Sequence, residues 1–481
     1  MANKKVAVIG AGIGGLASAC RLAHDGFSVD VYEKLPICGG RNNIIEDKGF
    51  KFDTGPSFVL MPDFFEEVFS YCGVKIKDYL DLRAIDPSYK IFFPDGDSFT
   101  VFKDSRRTKE EMERIEKGSA LGFEAFIKET SRIYKVIRPL LYSCVTYRSL
   151  LNPYYWGLAG RIQAFKSYWG LAKRYFKSEK LLFAFTFEAM FMGVSPYQAP
   201  AFYSIITYTD HVQKIFHPMG GMYQIPKALE KLAASFGARF HYNCQVESIR
   251  NKDNSINFTC AGKQYSSDYA VVNADYPYTQ AKLLKRRNPR YKYSCSTYLI
   301  YLGLKKKVDN LAHHNLFFAN DLNKNLDQIF KDHILPADAS FYVHVPTVTD
   351  SSLAPEGKDI LYILIPVPNL EGASVGLGEG EAALRKFVFE KINRCCGCNL
   401  EELIETEHHF YPEDFIKRYN IEFGATFGLA HNLTQSAFFR PANFDSKIKN
   451  LYYVGASTQP GGGLPVVIAS SRIVADLISK R

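Results

Sequence analysis

The feature that most constrains the fold is a glycine-rich run near the N-terminus, GAGIGG at positions 10–15. A short apolar strand predicted at Val6–Ile9 leads into this run, and Leu16–His24 has the composition of a helix. A second apolar strand, Val29–Tyr32, is followed at once by the acidic residue Glu33. A strand, a glycine turn, a helix, a second strand and an acid within about 30 residues predict a dinucleotide-binding βαβ unit.

Each glycine of this turn has a physical task. Gly10 permits the tight turn, Gly12 lets a pyrophosphate approach the backbone, and Gly15 lets the helix pack closely on the strand. The N-terminus of the helix offers free N–H groups and a partial positive charge to the phosphates. Glu33 can accept hydrogen bonds from a ribose and would repel a 2′-phosphate. The predicted cofactor site therefore begins with Gly10, Gly12, Ile13, Gly14, Gly15, Glu33 and Lys34.

The residues after Glu33 distinguish NAD from FAD. The turn LPICGGR at residues 35–41 does not usually follow the acid in nicotinamide dehydrogenases. The longer run over residues 31–62, from VYEK to VLMP, resembles the N-terminus of the bacterial-type carotenoid desaturases. These are the phytoene and dehydrosqualene (diapophytoene) desaturase family of the flavin amine oxidase-like superfamily. The resemblance implies FAD as the cofactor and adds to its site Gly39, Gly40, Arg41, Gly55, Pro56 and Ser57.

A second glycine turn lies near the C-terminus. A buried strand predicted at Leu451–Val454 leads to GGGLPVV at residues 461–467, where Pro465 is well placed as the first residue of a helix. This tail is similar to the closing motif of the desaturases, although Gln459 stands where family members often have histidine. The resemblance implies that the N-terminus of the helix meets the pyrimidine edge of the flavin. The predicted contacts are Gly455, Gly463, Pro465, Val466 and Val467.

The resemblance continues through the middle of the chain and implies a discontinuous architecture. It places Val246 against the adenine and Asp275 at the end of a strand that leaves the cofactor domain. The predicted fold class is α/β: a discontinuous Rossmann-type FAD-binding domain, an inserted α+β substrate-binding domain and a helical membrane-facing segment. The FAD-binding domain is assigned to 1–75, 215–284 and 430–481, and the substrate-binding domain to 76–214 and 285–429.

The composition is that of a folded protein with a mildly basic surface. Of 481 residues, 47% are hydrophobic and 23% are charged, and the net charge of +9 attracts anionic surfaces. No signal peptide precedes the first strand, so we expect the cytoplasm and no disulfides. Cys395, Cys396 and Cys398 are clustered, but no second cluster completes four ligands, and the histidines show no metal spacing. We therefore expect no metal.

The electron acceptor is inferred from the lack of a second nucleotide motif. The stretch GLGEG at residues 376–380 follows no convincing strand, and Glu379 and Glu381 would repel phosphates. Without a nicotinamide site, we expect electrons to leave the flavin for a quinone or for oxygen. Nothing in the chain resembles a nucleic-acid-binding module, so nucleic acid is not an expected partner.

Residues 131–178 have a composition typical of membrane contact. They include nine basic residues, no acidic residue and both tryptophans, Trp156 and Trp169. Basic and aromatic helices lie on membrane surfaces, where each Lys or Arg contributes about 1 kcal/mol. The apolar run Leu181–Val194 is too short to span a bilayer. We predict peripheral membrane association through 131–178; the alternative is a solvated basic helix with its tryptophans in the core.

The chemistry that the resemblance implies is desaturation of a linear C30 or C40 polyene of the dehydrosqualene or phytoene type. A hydride passes from an allylic carbon to the flavin, and the neighbouring carbon loses a proton. The catalytic candidates are Asp210 and Arg148, although Asp210 also suits a capping or ion-pair role and Arg148 a lipid contact. The alternatives on the same fold are action on a later, hydroxylated carotenoid, a flavin-dependent carotenoid isomerase and an amine oxidase.

Overall fold

Two large β-sheets organise the chain, of which the computed structural model describes residues 4–371 and 378–480. The strands are β1 Lys5–Ile9, β2 Ser28–Tyr32, β3 Ile44–Asp47, β4 Phe50–Asp53, β5 Leu82–Ala84, β6 Tyr89–Phe92, β7 Ser98–Val101, β8 Phe216–Pro218, β9 Arg239–His241, β10 Val246–Lys252, β11 Ser255–Cys260, β12 Lys263–Ser267, β13 Tyr269–Val272, β14 Ser296–Leu304, β15 His314–Phe317, β16 Phe341–His344, β17 Asp359–Val367, β18 Ile404–Phe410 and β19 Leu451–Tyr453. The α-helices are α1 Ile13–His24, α2 Pro62–Tyr71, α3 Ser105–Ile115, α4 Ser119–Ile137, α5 Pro153–Arg161, α6 Tyr168–Ala172, α7 Glu179–Ala184, α8 Ile205–Tyr208, α9 Gln224–Ser235, α10 Tyr276–Tyr278, α11 Leu322–Asp327, α12 Gly378–Cys396, α13 Leu400–Leu403, α14 Pro412–Tyr419 and α15 Leu464–Ser479.

The first sheet is parallel and has the strand order β19-β13-β1-β2-β9. Its central strand β1 is buried on both faces, as its apolar sequence requires. Helices α1, α9 and α15 pack on one face, and the β10–β12 meander covers the other. Because β1, β13 and β19 are parallel neighbours, the chain leaves all three at one edge, which brings the N-terminal and C-terminal glycine turns together.

The second sheet is mixed, with the strand order β18-β14-β17-β16-β15-β6-β7. Its strands pair antiparallel except β15 and β6, which are parallel. Helix α12 packs on one face through Val388, Phe389 and Ile392. The opposite face meets the β3–β4 hairpin through Phe50 and Phe52. A parallel sheet joined to a mixed one confirms the predicted α/β class.

The segment 131–178 begins with the last turns of α4 and continues as short helices and turns. No helix in the described part of the chain is both long and apolar enough to cross a bilayer. Trp169 is only 9% exposed and packs against Phe183 and Tyr197, with ring centroids 4.7 and 4.8 Å away, so it belongs to the core. By contrast, Leu151 is 85% exposed and Phe165 is 71% exposed. The apolar surface of this segment is therefore centred on α5 and its flanking turns.

The prediction that the chain has no disulfide was wrong. Cys244 and Cys260 form a disulfide, although none was expected. Their Cα atoms lie 5.8 Å apart because β10 and β11 pair antiparallel with Val246 opposite Cys260. Spacing along the chain does not reveal that the two cysteines are neighbours, since this depends on the register of the two strands.

The stretch GLGEG at residues 376–380 lies partly outside the described residues. Residues 376 and 377 are not described, and α12 begins at Gly378.

Candidate active site

A cavity of about 900 Å³ begins where β1, β2, β13 and β19 end and extends to the second sheet. Its wall contains nearly all of the residues predicted to bind the cofactor. These are Gly10, Gly12, Ile13, Gly14, Glu33, Lys34, Gly39, Gly40, Arg41, Gly55, Pro56, Ser57, Val246, Asp275, Gly455, Gly463, Pro465, Val466 and Val467. Residues from five distant segments of the sequence thus line one space, which makes it the candidate site.

Gly15 is the predicted cofactor residue that the wall lacks. A Cβ at this position would lie 2.1 Å from the carbonyl oxygen of Gly10, so no other residue fits without moving the backbone. Its role is the close packing of α1 on the turn, as its place in the motif predicts. A second close approach involves Asn273 at the end of β13, whose side-chain atoms would lie 2.6 Å from a Cβ at Gly12 or at Gly14. Asn273 lines the cavity too and was not predicted.

Glu33 is buried at the end of β2 and orders the loop around the first turn. Its carboxylate accepts hydrogen bonds from the backbone N–H groups of Ala11, at 2.7 Å, and Leu35, at 2.8 Å. Burial raises the pKa of Glu33, and these two N–H groups act in the opposite direction. The neighbouring Lys34 turns away, since its ammonium donates to the Lys417 carbonyl and to Asn420. Only Glu33 of this pair presents its charged group to the site.

A half-buried cation, Arg41, and a half-buried acid, Asp275, both line the cavity. Arg41 donates one hydrogen bond to the carbonyl oxygen of Thr426 at 2.7 Å, and burial lowers the pKa of its guanidinium. One carboxylate oxygen of Asp275 accepts a hydrogen bond from Ser457 at 2.6 Å, and burial raises the pKa of Asp275. Its other oxygen has no hydrogen-bond partner among the described residues. Buried polar groups left incomplete on a cavity wall are suited to a polar ligand.

The C-terminal turn is held by a histidine that the sequence analysis did not select. The backbone N–H of Gly462 donates to Nε2 of His431 at 2.9 Å, while Nδ1 lies 3.3 Å from the carbonyl oxygen of Met192. Burial lowers the pKa of His431 well below its usual value, so the ring is neutral and can accept this bond. Gln459 exchanges two hydrogen bonds with the backbone of Val145, at 2.7 and 2.8 Å.

Arg440 links the loops behind this turn. Its guanidinium is fully buried and donates to five backbone carbonyl groups at 2.5 to 3.3 Å, those of Leu429, Ala430, Gln435, Ala456 and Thr458. Burial lowers the pKa of Arg440 to about 10, so it stays charged at neutral pH. One side chain thereby fixes the loop that carries His431 against the loop that leads into Gly461–Gly463.

Away from the glycine turns the cavity becomes apolar. Its wall there includes Phe58, Leu141, Ile162, Phe187, Phe191 and Ile206. Three other lining residues, Trp156, Phe165 and Phe439, are more than half exposed and so mark where the cavity reaches the surface. The exposed side chains of α5 and its flanking turns therefore surround the mouth of an apolar passage that ends at the glycine turns.

Neither predicted catalytic residue lies on the cavity wall. Arg148 is exposed in the 3₁₀ turn Tyr147–Leu151. Asp210 is 3% exposed and lies beside Glu188 in the core, where their carboxyl oxygens are within 4.8 Å of each other. Glu188 accepts hydrogen bonds from the hydroxyls of Tyr168 and Thr207, both at 2.6 Å. The position of Asp210 and Arg148 gives no support to direct catalysis by either residue.

The buried acid pair predicts a pH-dependent stability. Burial raises the pKa of Glu188 to about 7, and burial together with Glu188 raises that of Asp210. The stability that a protonated Glu188 contributes is complete below its unfolded pKa, near 4.3, and is lost as the pH rises through the folded value. Relative to the unmodified protein, Glu188→Gln should gain about 1–3 kcal/mol of stability between pH 5 and pH 8. Thermal melts between pH 5 and pH 8 measure this gain in stability, and Glu356→Gln, which changes an exposed acid, is the control. Equal dependence of the melting temperature on pH for Glu188→Gln and the unmodified protein would contradict the prediction.

Comparison with known proteins places the chain among flavoproteins. The family described as flavin containing amine oxidoreductase matches residues 13–479. The chain is 40% identical over 486 residues to the zeta-carotene-forming phytoene desaturase of Myxococcus xanthus, covering 98% of this chain and 93% of that protein. It is 34% identical over 502 residues to the 4,4'-diapophytoene desaturase (4,4'-diaponeurosporene-forming) of Staphylococcus aureus (strain Newman), covering 99% of each.

A solved structure shares the fold. The crystal structure of an oxidoreductase from Methanosarcina mazei aligns with a TM-score of 0.65 and 16% identity over 98% of this chain and 100% of that one. Because the matched family contains flavin and the first turn is built for a dinucleotide, the predicted cofactor FAD is confirmed. The resemblance inferred from the sequence is confirmed as well: the chain belongs to the flavin containing amine oxidoreductase family and, within it, to the phytoene and diapophytoene desaturases.

Proposed function

We propose that this chain is an FAD-dependent desaturase of carotenoid biosynthesis that introduces C=C bonds into a linear C30 or C40 polyene. The observation that carries the proposal is the continuous cavity, which joins two glycine turns suited to FAD to an apolar passage that reaches the surface. Such a passage fits a long hydrocarbon and offers nothing to an ionic substrate along most of its length. The relatives named as phytoene and diapophytoene desaturases, which match nearly the whole chain, support the same substrate class.

The residues of the wall fit FAD. Glu33 would accept hydrogen bonds from the ribose, and the free N–H groups at the start of α1 would face the pyrophosphate together with Arg41. Val246, at the start of β10, would contact the adenine. The turn at Gly461–Gly463 and the N-terminus of α15 would meet the isoalloxazine ring. Bound there, FAD supplies the hydride acceptor for the reaction. On the same basis we propose that residues 1–75, 215–284 and 430–481 form the FAD-binding domain and that residues 76–214 and 285–429 form the substrate-binding domain.

The apolar wall of the cavity positions the polyene for the reaction. It excludes water and holds the polyene extended, so that one saturated C–C bond after another can be placed beside the cofactor. An allylic cation is delocalised over the polyene and needs no close counter-charge. Hydroxyl groups are present on this wall: Tyr342 donates to Ser57 at 2.8 Å and contacts Nδ1 of His314 at 2.6 Å. Burial lowers the pKa of His314 to about 3, so the ring is neutral.

We further propose that the mouth of the cavity docks on a membrane. Leu151 and Phe165 project their apolar side chains into solvent, and the exposed basic residues Arg161, Lys166 and Lys173 lie on the same stretch of short helices and turns. A lipid-soluble substrate could then pass from the bilayer to the cavity without crossing water. A quinone, which shares the bilayer, or oxygen would accept the electrons.

The membrane contact can be tested with two apolar positions. Replacing Leu151 and Phe165 together with serine should weaken binding to anionic liposomes at least about 30-fold, because two exposed side chains lose their burial in lipid. Reversing the charge at Lys166, Lys173 and Arg174 should weaken binding mainly at low salt. Co-sedimentation measures both effects, and Val348→Ser, at a half-exposed apolar residue elsewhere, is the matched control. Unchanged binding in both variants would show that the interface lies elsewhere.

The function itself is tested by pigment formation. Cells that make phytoene or dehydrosqualene, and that also express this chain, should accumulate polyenes with a longer conjugated system than the precursor. Chromatography with absorption spectra identifies each product and counts its new double bonds. Accumulation of unchanged precursor, in cells whose purified protein carries FAD, would contradict the proposal.

A further inference from the structure

Three histidines from separate segments meet in the core behind the cavity wall. His217 comes from β8, His313 from the residue before β15, and His344 from the end of β16. All three are buried, and each offers a ring nitrogen within 4.8 Å of the ring nitrogens of the other two. The group joins β8, which precedes the Gly220–Gly221 turn, to two strands of the second sheet.

One pair of ring nitrogens has nearly the spacing of two ligands around one ion. Nε2 of His344 lies 3.0 Å from Nε2 of His313, close enough for one ring to donate a hydrogen bond to the other. Two nitrogens bound to one tetrahedral zinc at about 2.05 Å would lie roughly 3.4 Å apart, so this pair is already close to coordinating distance. Neither ring nitrogen of His217 has a hydrogen-bond partner among the described residues, although the side chain is 0% exposed. A fully buried imidazole with two unpaired nitrogens points to a missing ligand.

Two neighbouring groups orient His313 and place a negative charge beside His217. Nδ1 of His313 lies 2.7 Å from the hydroxyl of Thr349, which leaves Nε2 as the free lone pair if Nδ1 donates. The carboxylate of Asp350 lies 3.6 Å from Nε2 of His217.

We propose that His217, His313 and His344 bind one divalent transition-metal ion of the zinc type, with Asp350 beside it as the nearest balancing charge. Three neutral imidazoles are a donor set that zinc accepts, and hard cations such as Mg²⁺ or Ca²⁺ would require oxygen ligands instead. The ion would tie β8 to the second sheet. Asp350 connects it to the turn before α9, because the same carboxylate accepts the backbone N–H of Gly220. His314, bonded to Tyr342, stands outside the ligand set.

Metal content of the full-length, FAD-loaded protein tests the site directly. After desalting over chelating resin, elemental mass spectrometry should find about one zinc-type ion per chain. His217→Gln and His344→Gln should each lower that content at least about fivefold, whereas the exposed His333→Gln should leave it unchanged. Equal metal content in all of these proteins would overturn the proposal. The measurement needs no substrate, so its outcome is independent of the desaturase function.

A second experiment uses the unmodified chain in case the variants fail to fold. Chelator treatment followed by titration with Co²⁺ should give visible d–d bands that saturate near one equivalent, and Zn²⁺ should displace them while raising the melting temperature. Absence of Co²⁺ and Zn²⁺ uptake, together with less than about 0.1 ion per chain as isolated, would refute the site. Intense sulfur-to-cobalt charge-transfer bands would place the ion at Cys395, Cys396 and Cys398 and would refute it equally.

Discussion

Replacing Glu33 with alanine is expected to weaken FAD binding at least about 100-fold. The carboxylate accepts the N–H groups of Ala11 and Leu35 and lines the cavity, and we propose that it also accepts hydrogen bonds from the ribose of FAD. A hydrogen bond to a charged group is worth about 1.5–3 kcal/mol. Loss of two such bonds between Glu33 and the ribose hydroxyls therefore corresponds to a factor of this size or larger in FAD affinity. Titration of the FAD-free protein with FAD, followed by flavin fluorescence, measures the change.

The control for this variant is Glu46→Ala, which removes an exposed acid from the nearby β3–β4 hairpin. It should bind FAD as the unmodified protein does. Because Glu33 also orders its own loop, the melting temperature of the FAD-free Glu33→Ala protein is measured alongside. A folded Glu33→Ala protein with unchanged affinity would remove the ribose assignment.

The largest loss of stability is expected at Arg440. Methionine at this position fills a similar volume but removes the arginine donor from five backbone carbonyl groups in a buried region, of which, among the described residues, only that of Ala430 keeps a second donor, Gln435. Each unsatisfied buried acceptor costs about 1–3 kcal/mol, and local rearrangement can recover only part of the sum. We expect Arg440→Met to destabilise the protein by at least about 3 kcal/mol and to lower its melting temperature by at least about 3 °C.

The matched control is Arg287→Met, which removes an exposed arginine. Its melting temperature should lie close to that of the unmodified protein, since surface substitutions usually change stability by about 0.5 kcal/mol or less. Arg440→Lys should fall between the two, because an ammonium keeps the charge but cannot reach all five carbonyls. An Arg440→Met protein that melts with the control would show that these hydrogen bonds contribute little net stability.

The sequence predicted the parts of the site that depend on local order along the chain. The turn at residues 10–15 and the turn at residues 461–467 are each followed by a helix at the expected place, and parallel pairing of β1, β13 and β19 brings them together. Their glycines are recognisable because a turn, a close approach and a helix N-terminus require them in a fixed spacing.

The remaining features depend on contacts between distant segments. His431 and Arg440 lie in irregular loops without a motif, and their roles follow only from which backbone groups reach them. Asp210 was selected for its position before a glycine turn, but the structure directs it into the core beside Glu188. Likewise, neither the Cys244–Cys260 disulfide nor the histidine group has a recognisable spacing, since strand register creates both.

Anaerobic reaction with a polyene tests the central claim most directly. The FAD-loaded chain is mixed with liposomes that contain phytoene, dehydrosqualene or a hydroxylated carotenoid, and the flavin absorbance is followed without any electron acceptor. Desaturation predicts that phytoene or dehydrosqualene removes the oxidised flavin bands stoichiometrically and yields one new double bond per flavin. An isomerase would change the polyene and leave the flavin oxidised. Persistent flavin absorbance with both linear polyenes, in a protein whose flavin dithionite still reduces, would contradict the account.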